Sequence, residues 1–129
     1  MSENRDKIIS MLEKFHAQNA FSQIHELCMK ALIQFRDDRV FLWYKEQAEQ
    51  ALTSMYESKI GNLKKAITLL KSPMELTWLK LEKEDWQVIQ AINGEKGYFQ
   101  LCKEIPLSKF LISRSLSRLI QQQVVSTSL

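Results

Sequence analysis

The chain has 129 residues, 45% of them hydrophobic and 26% charged, with three glycines, two prolines and a formal net charge of +3. This excludes a large multidomain enzyme and a collagen-like, disordered or turn-rich all-β chain, and favours helices. Cys28 and Cys102 are too few and too far apart for a disulfide framework or a zinc ribbon.

From the N-terminus, Ile8, Leu12 and Phe15 fall at i, i+4 and i+7, with Met11 alongside, so the spacing predicts an amphipathic helix over 5–18. Its polar start, Met1-Ser2-Glu3-Asn4-Arg5-Asp6-Lys7, is not a signal sequence. Asn19 is a stop or a cap. Phe21, Ile24, Leu27, Cys28, Ala31, Leu32 and Phe35 then repeat at steps of three and four, which gives a second helix. Asp37 or Asp38 can cap a third, over about 39–57, burying Phe41, Tyr44, Ala48, Ala51, Leu52, Met55 and Tyr56. Val40–Tyr44 is the longest apolar run, far below the ~20 residues that cross a bilayer, so no membrane partner is expected and the chain reads as cytoplasmic. Gly61-Asn62 breaks the third helix, Leu63, Ala66, Ile67 and Leu70 suggest a short fourth, and Ser72-Pro73 stops it.

Asn19-Ala20-Phe21-Ser22-Gln23-Ile24, followed by Lys30-Ala31-Leu32, resembles the second helix of a tetratricopeptide repeat. Gly61-Asn62-Leu63-Lys64-Lys65-Ala66-Ile67 resembles the same helix opening again. The two copies stand further apart than that family's period, Ile24 replaces its Ala, and Asp37-Asp38 stands where a Pro is usual. A plain helical bundle would show the same spacing. The resemblance implies antiparallel helical hairpins over residues 1–72.

Beyond Pro73, Met74, Leu76, Trp78 and Lys80 alternate with Glu75, Thr77, Leu79 and Leu81, which reads as a short strand. Glu82, Glu84 and Asp85 suit the first turn of a helix that buries Trp86, Val88, Ile89 and Ile92 and stops at Asn93-Gly94. A short helix carrying Tyr98, Leu101, Cys102 and Ile105 closes at Pro106. Ser108 caps a last helix, 108–122, with Leu111, Ile112, Leu116, Leu119 and Ile120 inward, and Val124, Val125 and Thr127 make a small final strand.

That order, in the run from Leu101 to Ile120, resembles a helix-turn-helix within a winged-helix domain. Residues 74–127 are similar to the winged-helix tail of bacterial PATAN-type signalling proteins, and hairpins leading into a winged helix are also similar to PCI-domain subunits. The expected fold is therefore mainly α. Tetratricopeptide-like hairpins (1–72) would pack on a small α+β winged-helix module (73–129). Gln123 stands where such domains usually carry Gly, and too few residues follow Val125 for a second wing strand.

Two functions follow from these resemblances. A regulatory adaptor would hold a protein partner on its winged helix, on the polar face of the hairpins, or on both, with Gln34, Arg36, Arg39, Trp43, Lys45, Glu46 and Glu49 as candidate contacts on the hairpins. A DNA-binding regulator would instead read duplex DNA with Lys109, Ser113, Arg114, Ser117, Arg118 and Gln121, which the pattern turns mostly outward. Residues 105–129 hold three cations and no acid, which suits the second. No enzymatic activity, cofactor or metal is expected. Phosphate-loop, nucleophile-elbow and zinc-protease motifs are absent, and the pair His25 and Cys28 supplies only two ligands.

Overall fold

The stripe of Ile8, Leu12 and Phe15 packs inward from one helix, α1 (Ser2–Ala17), in the computed structural model, which describes residues 2–127. Asn19 ends it in a left-handed conformation (φ +55°), which Asn tolerates because its short amide can bond local backbone. α2 (Phe21–Gln34) returns antiparallel to α1: Asn4 donates to Gln34 at one end, and the His16 and Phe21 rings meet at the other. Asp37, also left-handed (φ +59°), turns the chain towards α3 (Arg39–Ile60). Of the two aspartates available as a cap, Asp38 is the one used, accepting from the Val40 and Phe41 N–H groups.

The chain divides into two compact units inside α3, between Leu52 and Thr53. In the first unit Leu12, Ile24, Cys28, Ala31, Phe41 and Ala48 make the buried core, with Phe15, Phe21, Phe35 and Tyr44 packed around it. Met55, expected inside, is exposed. Arg5 Nε donates to Asp38 at 2.7 Å, and its guanidinium lies 5.8 Å from the centre of the Phe41 ring. Hydrogen bonding from Arg5 holds the Asp38 carboxyl below its ordinary range; burial opposes this, and the Phe41 and Val40 N–H groups add to it. A carboxyl depressed by folding stabilises fully above its unfolded value, about pH 4, and the contribution is lost as pH falls through the folded value. An Asp38→Asn variant should therefore have a flatter loss of urea resistance below about pH 4 than the parent. Equal slopes would remove Asp38 from the acid response.

The second unit opens with the last two turns of α3. The short helix expected over Leu63, Ala66, Ile67 and Leu70 does not form. Gly61 is left-handed (φ +90°) and the Asn62 side chain accepts from the Lys64 N–H, so the chain turns and continues extended into β1 (Thr68–Leu69). The strand expected after Pro73 is also absent. Ser72 and Glu75 cap each other's backbone with Pro73 at the first helical position, which starts the one-turn helix α4 (Pro73–Leu76) instead. α5 (Lys83–Ala91), α6 (Tyr98–Glu104) and α7 (Lys109–Gln121) appear where their spacing places them. Trp86, expected to be buried in α5, stays partly exposed.

The terminal strand β2 (Val125–Ser126) has a partner after all, supplied from upstream. It pairs antiparallel with β1, Thr68 opposite Ser126 and Leu69 opposite Val125. On its other side the same extended segment bridges Ala66 to Gly97, and the Ile67 N–H donates to the Lys96 carbonyl at 2.9 Å. Residues 66–70 thus lie between two segments from the far end of the chain. Gly97 permits this approach, because a Cβ there would stand 3.0 Å from the Lys65 carbonyl oxygen. The core around the sheet comprises Ile60, Ile67, Leu76, Val88, Tyr98, Leu101, Ile112, Leu116, Leu119, Val124 and their neighbours.

Gln123, before β2, takes a left-handed conformation (φ +60°). That costs a residue with a Cβ about 1–2 kcal/mol, against the smaller entropic cost of glycine. Gln123→Gly should raise stability by about 0.5–1 kcal/mol, seen as a higher urea midpoint. A lower midpoint would show that the turn is unstrained.

Candidate functional site

α7 begins as its sequence suggests: Ser108 Oγ accepts from the Leu111 N–H at 3.2 Å. It packs on α5, α6 and β2 with Ile112, Leu116 and Leu119 fully buried, and Phe110 buried beside them in place of Leu111, which is only half-buried. The outward face does not survive. Ser113 and Ser117 are buried: Tyr98 of α6 bonds Ser113, and Lys59, near the end of α3, lines a shallow depression with Ser117, Ile120 and Gln121, while the Tyr56 and Phe110 rings are 6.2 Å apart. Ser113 Oγ donates to the Lys109 carbonyl and shares a hydrogen bond with Tyr98 Oη, both at 2.7 Å. Lys109 pairs with Glu57 at 3.3 Å, and the half-buried Arg114 lies over the Phe110 ring at 5.3 Å.

Arg118 is turned into a buried network. Asp85, 4% exposed, accepts from Arg118 at 2.9 Å, from Ser115 Oγ at 2.6 Å and from the Glu82 N–H at 3.0 Å. Glu82 also pairs with Arg118, at 3.4 Å. Of the six residues proposed to read DNA, only Lys109 and Gln121 are exposed. The structure gathers all six on one helix but not on one open face.

In the first unit Arg39, Trp43 and Glu46 follow at i, i+4 and i+7 on α3, all exposed, with Leu42 exposed beside them. Trp43 is 50% exposed and meets the Tyr44 ring at 5.0 Å and the His16 ring at 6.2 Å. Lys45 and Glu49 face elsewhere. They pair with each other at 3.3 Å, and Glu49 also bonds His25 Nε2 at 2.9 Å. Gln34 and Arg36 are exposed at the α2 end, where Gln34 accepts from Asn4.

Comparison with known proteins adds no relative: no protein-family model, no curated protein and no solved structure matches this chain.

Burial pushes the Cys28 thiol up to about 11, Lys45 opposing, and raises Cys102 as well, so both are protonated near neutrality and weak as nucleophiles or ligands. Burial likewise raises the Tyr98 phenol, against its hydrogen bond with Ser113. Among the described residues no group of three His, Cys, Asp or Glu side chains could hold a metal, and no helix is long and apolar enough to cross a membrane. Sequence reasoning missed the exposed side chains of Leu70, Met74 and Trp78 in the second unit. The Ser72-Pro73-Met74-Glu75 capping pattern is the signal that could have located them, since it starts a helix.

Proposed function

We propose that this protein is a non-catalytic regulatory adaptor that binds a protein partner through the α3 face of its first unit. The observation that carries the reading is Trp43, half-exposed beside Leu42 and flanked by Arg39 and Glu46. Tryptophan is enriched among residues that dominate binding energy, and charges at the rim of an apolar centre fix register and partner choice. The pairing of α1 with α2 supports tetratricopeptide-like hairpins, which offer such faces. In the second unit the order α5, α6, α7, β2 supports a winged-helix-like module, with β1 standing in for the wing's second strand.

The alternative, duplex DNA read by α7, has less support: Ser113 and Ser117 are buried and Arg118 is held by Asp85 and Glu82. Two measurements separate these readings. A photo-reactive amino acid at position 43 should give one discrete protein adduct in the native cell, lost in an Arg39→Glu/Glu46→Lys background. No adduct, or one insensitive to the charge reversal, would remove Trp43 from the interface. A low-salt duplex titration should show no shift; binding abolished by Arg114→Glu would establish the DNA reading instead.

A further inference from the structure

The turn that follows α5, at Asn93-Gly94, holds a geometry with chemistry of its own. Asn93 Oδ1 accepts from the Glu95 N–H at 2.9 Å and from the Lys96 N–H at 3.2 Å. The first of these bonds closes a small ring through Gly94, which folds the side-chain amide back over the Gly94 peptide instead of out into solvent. Gly94 is left-handed (φ +83°) and has no Cβ to hinder its nitrogen, and its N–H donates to no described residue. Both residues are exposed, so water and base reach them.

These are the parts of an intramolecular acyl transfer. A backbone nitrogen that loses its proton to solvent base can attack the side-chain carbonyl carbon of the asparagine before it. The new bond, from Gly94 N to Asn93 Cγ, puts negative charge on Oδ1, where two N–H groups already point as in an oxyanion hole. The Cγ–Nδ2 bond then breaks, and Nδ2 takes a proton from solvent and leaves as ammonia, so that a cyclic imide remains. Water opens that ring. Opening at Cγ gives aspartate, and opening at the backbone carbonyl gives an isoaspartyl link with one extra carbon in the main chain. Asparagine and water become aspartate and ammonia, and nothing is oxidised or reduced. Asn62 supplies a comparison within the chain: its Oδ1 accepts from one N–H, that of Lys64, and the side chain of Leu63 shields the next nitrogen.

The turn leads directly into the segment that meets residues 66–67. The Ile67 N–H donates to the Lys96 carbonyl, Ala66 bridges Gly97, and the close approach to Lys65 leaves no slack there. Aspartate at position 93 keeps both accepted bonds and leaves this pairing in place. An extra main-chain carbon shortly before Lys96 does not.

We infer that Asn93-Gly94 is a self-modification site, at which the fold promotes deamidation and the isoaspartyl product releases residues 66–67 from Lys96 and Gly97. The full chain is aged at mildly alkaline pH, both folded and in guanidinium chloride. Mass spectrometry then maps the products with fragmentation that separates aspartyl from isoaspartyl links. Asn93 should convert about tenfold faster in the folded chain, and Asn62 should gain nothing from folding. Amide exchange at Ile67 should accelerate in the isoaspartyl fraction and stay slow in fresh Asn93→Asp. Aged Asn93→Ser should also stay protected, since its hydroxyl can hold the same turn but forms no imide. Conversion no faster in the folded chain than in the unfolded one overturns the site. Unchanged Ile67 exchange in the isoaspartyl fraction overturns the release.

Discussion

Asp85→Ala should destabilise the second unit by about 2–4 kcal/mol, the largest effect we expect from any polar substitution. The carboxylate receives three donors from two helices, and its removal leaves Ser115 and Arg118 facing a void inside the core. Breaking a buried pair from one side costs more than the pair contributes, because the partner stays desolvated. Arg118 keeps a third of its side chain in solvent and retains Glu82, which places the estimate below the upper end for such pairs. Arg118→Met should cost less, since Asp85 would keep its bonds from Ser115 and the Glu82 backbone. Urea denaturation of both single variants and the double variant gives the coupling directly. A loss under about 1 kcal/mol for Asp85→Ala would mean that water replaces the missing oxygens.

Phe41→Ala should cost the first unit about 3–5 kcal/mol, as for other fully buried aromatic truncations. The ring sits in the core with Leu12, Ile24 and Cys28, lies 5.7 Å from the Phe35 ring, and carries the Arg5 guanidinium above it. Its loss therefore leaves a cavity and also loosens the Arg5–Asp38 pair that closes the start of α3. Amide exchange in α1 and α2 should accelerate in step with the fall in the thermal midpoint. Phe41→Leu should retain most of the protection, because the cavity is smaller. Unchanged exchange in α1 and α2 would show that the core closes without this ring.

One-sided burial made α1, α2, α5 and α7 legible, since a buried stripe leaves its period in the sequence. What lies on the polar side of a helix leaves no such trace. Ser113 and Ser117 are polar by composition, yet small enough to be buried, Ser113 against Tyr98 and Ser117 near Lys59, so α7 looks open in sequence and is covered in the fold. Asp85 shows a related limit. Its role at the start of α5 is local and was legible, but its second oxygen bonds Ser115, thirty positions along the chain. β1 was hidden for the same reason, because its partners near Lys96 and Val125 are remote and a two-residue strand has no period of its own. At the candidate interface, the exposure of Trp43 was open in sequence, and the pairing of Lys45 with Glu49 needed coordinates.

The pairing of Thr68 with Ser126, 58 positions apart, has a consequence for biosynthesis. The first unit can assemble once its own 52 residues have left the ribosome, whereas the strand at 66–70 must wait, with the edge that β2 covers unpaired, until residue 126 has been made. Pairing across such a separation is also slow to nucleate. Leu69 and Leu70 are thus open to other nascent chains during synthesis, and the second unit is the part of this protein whose yield should depend on chaperones.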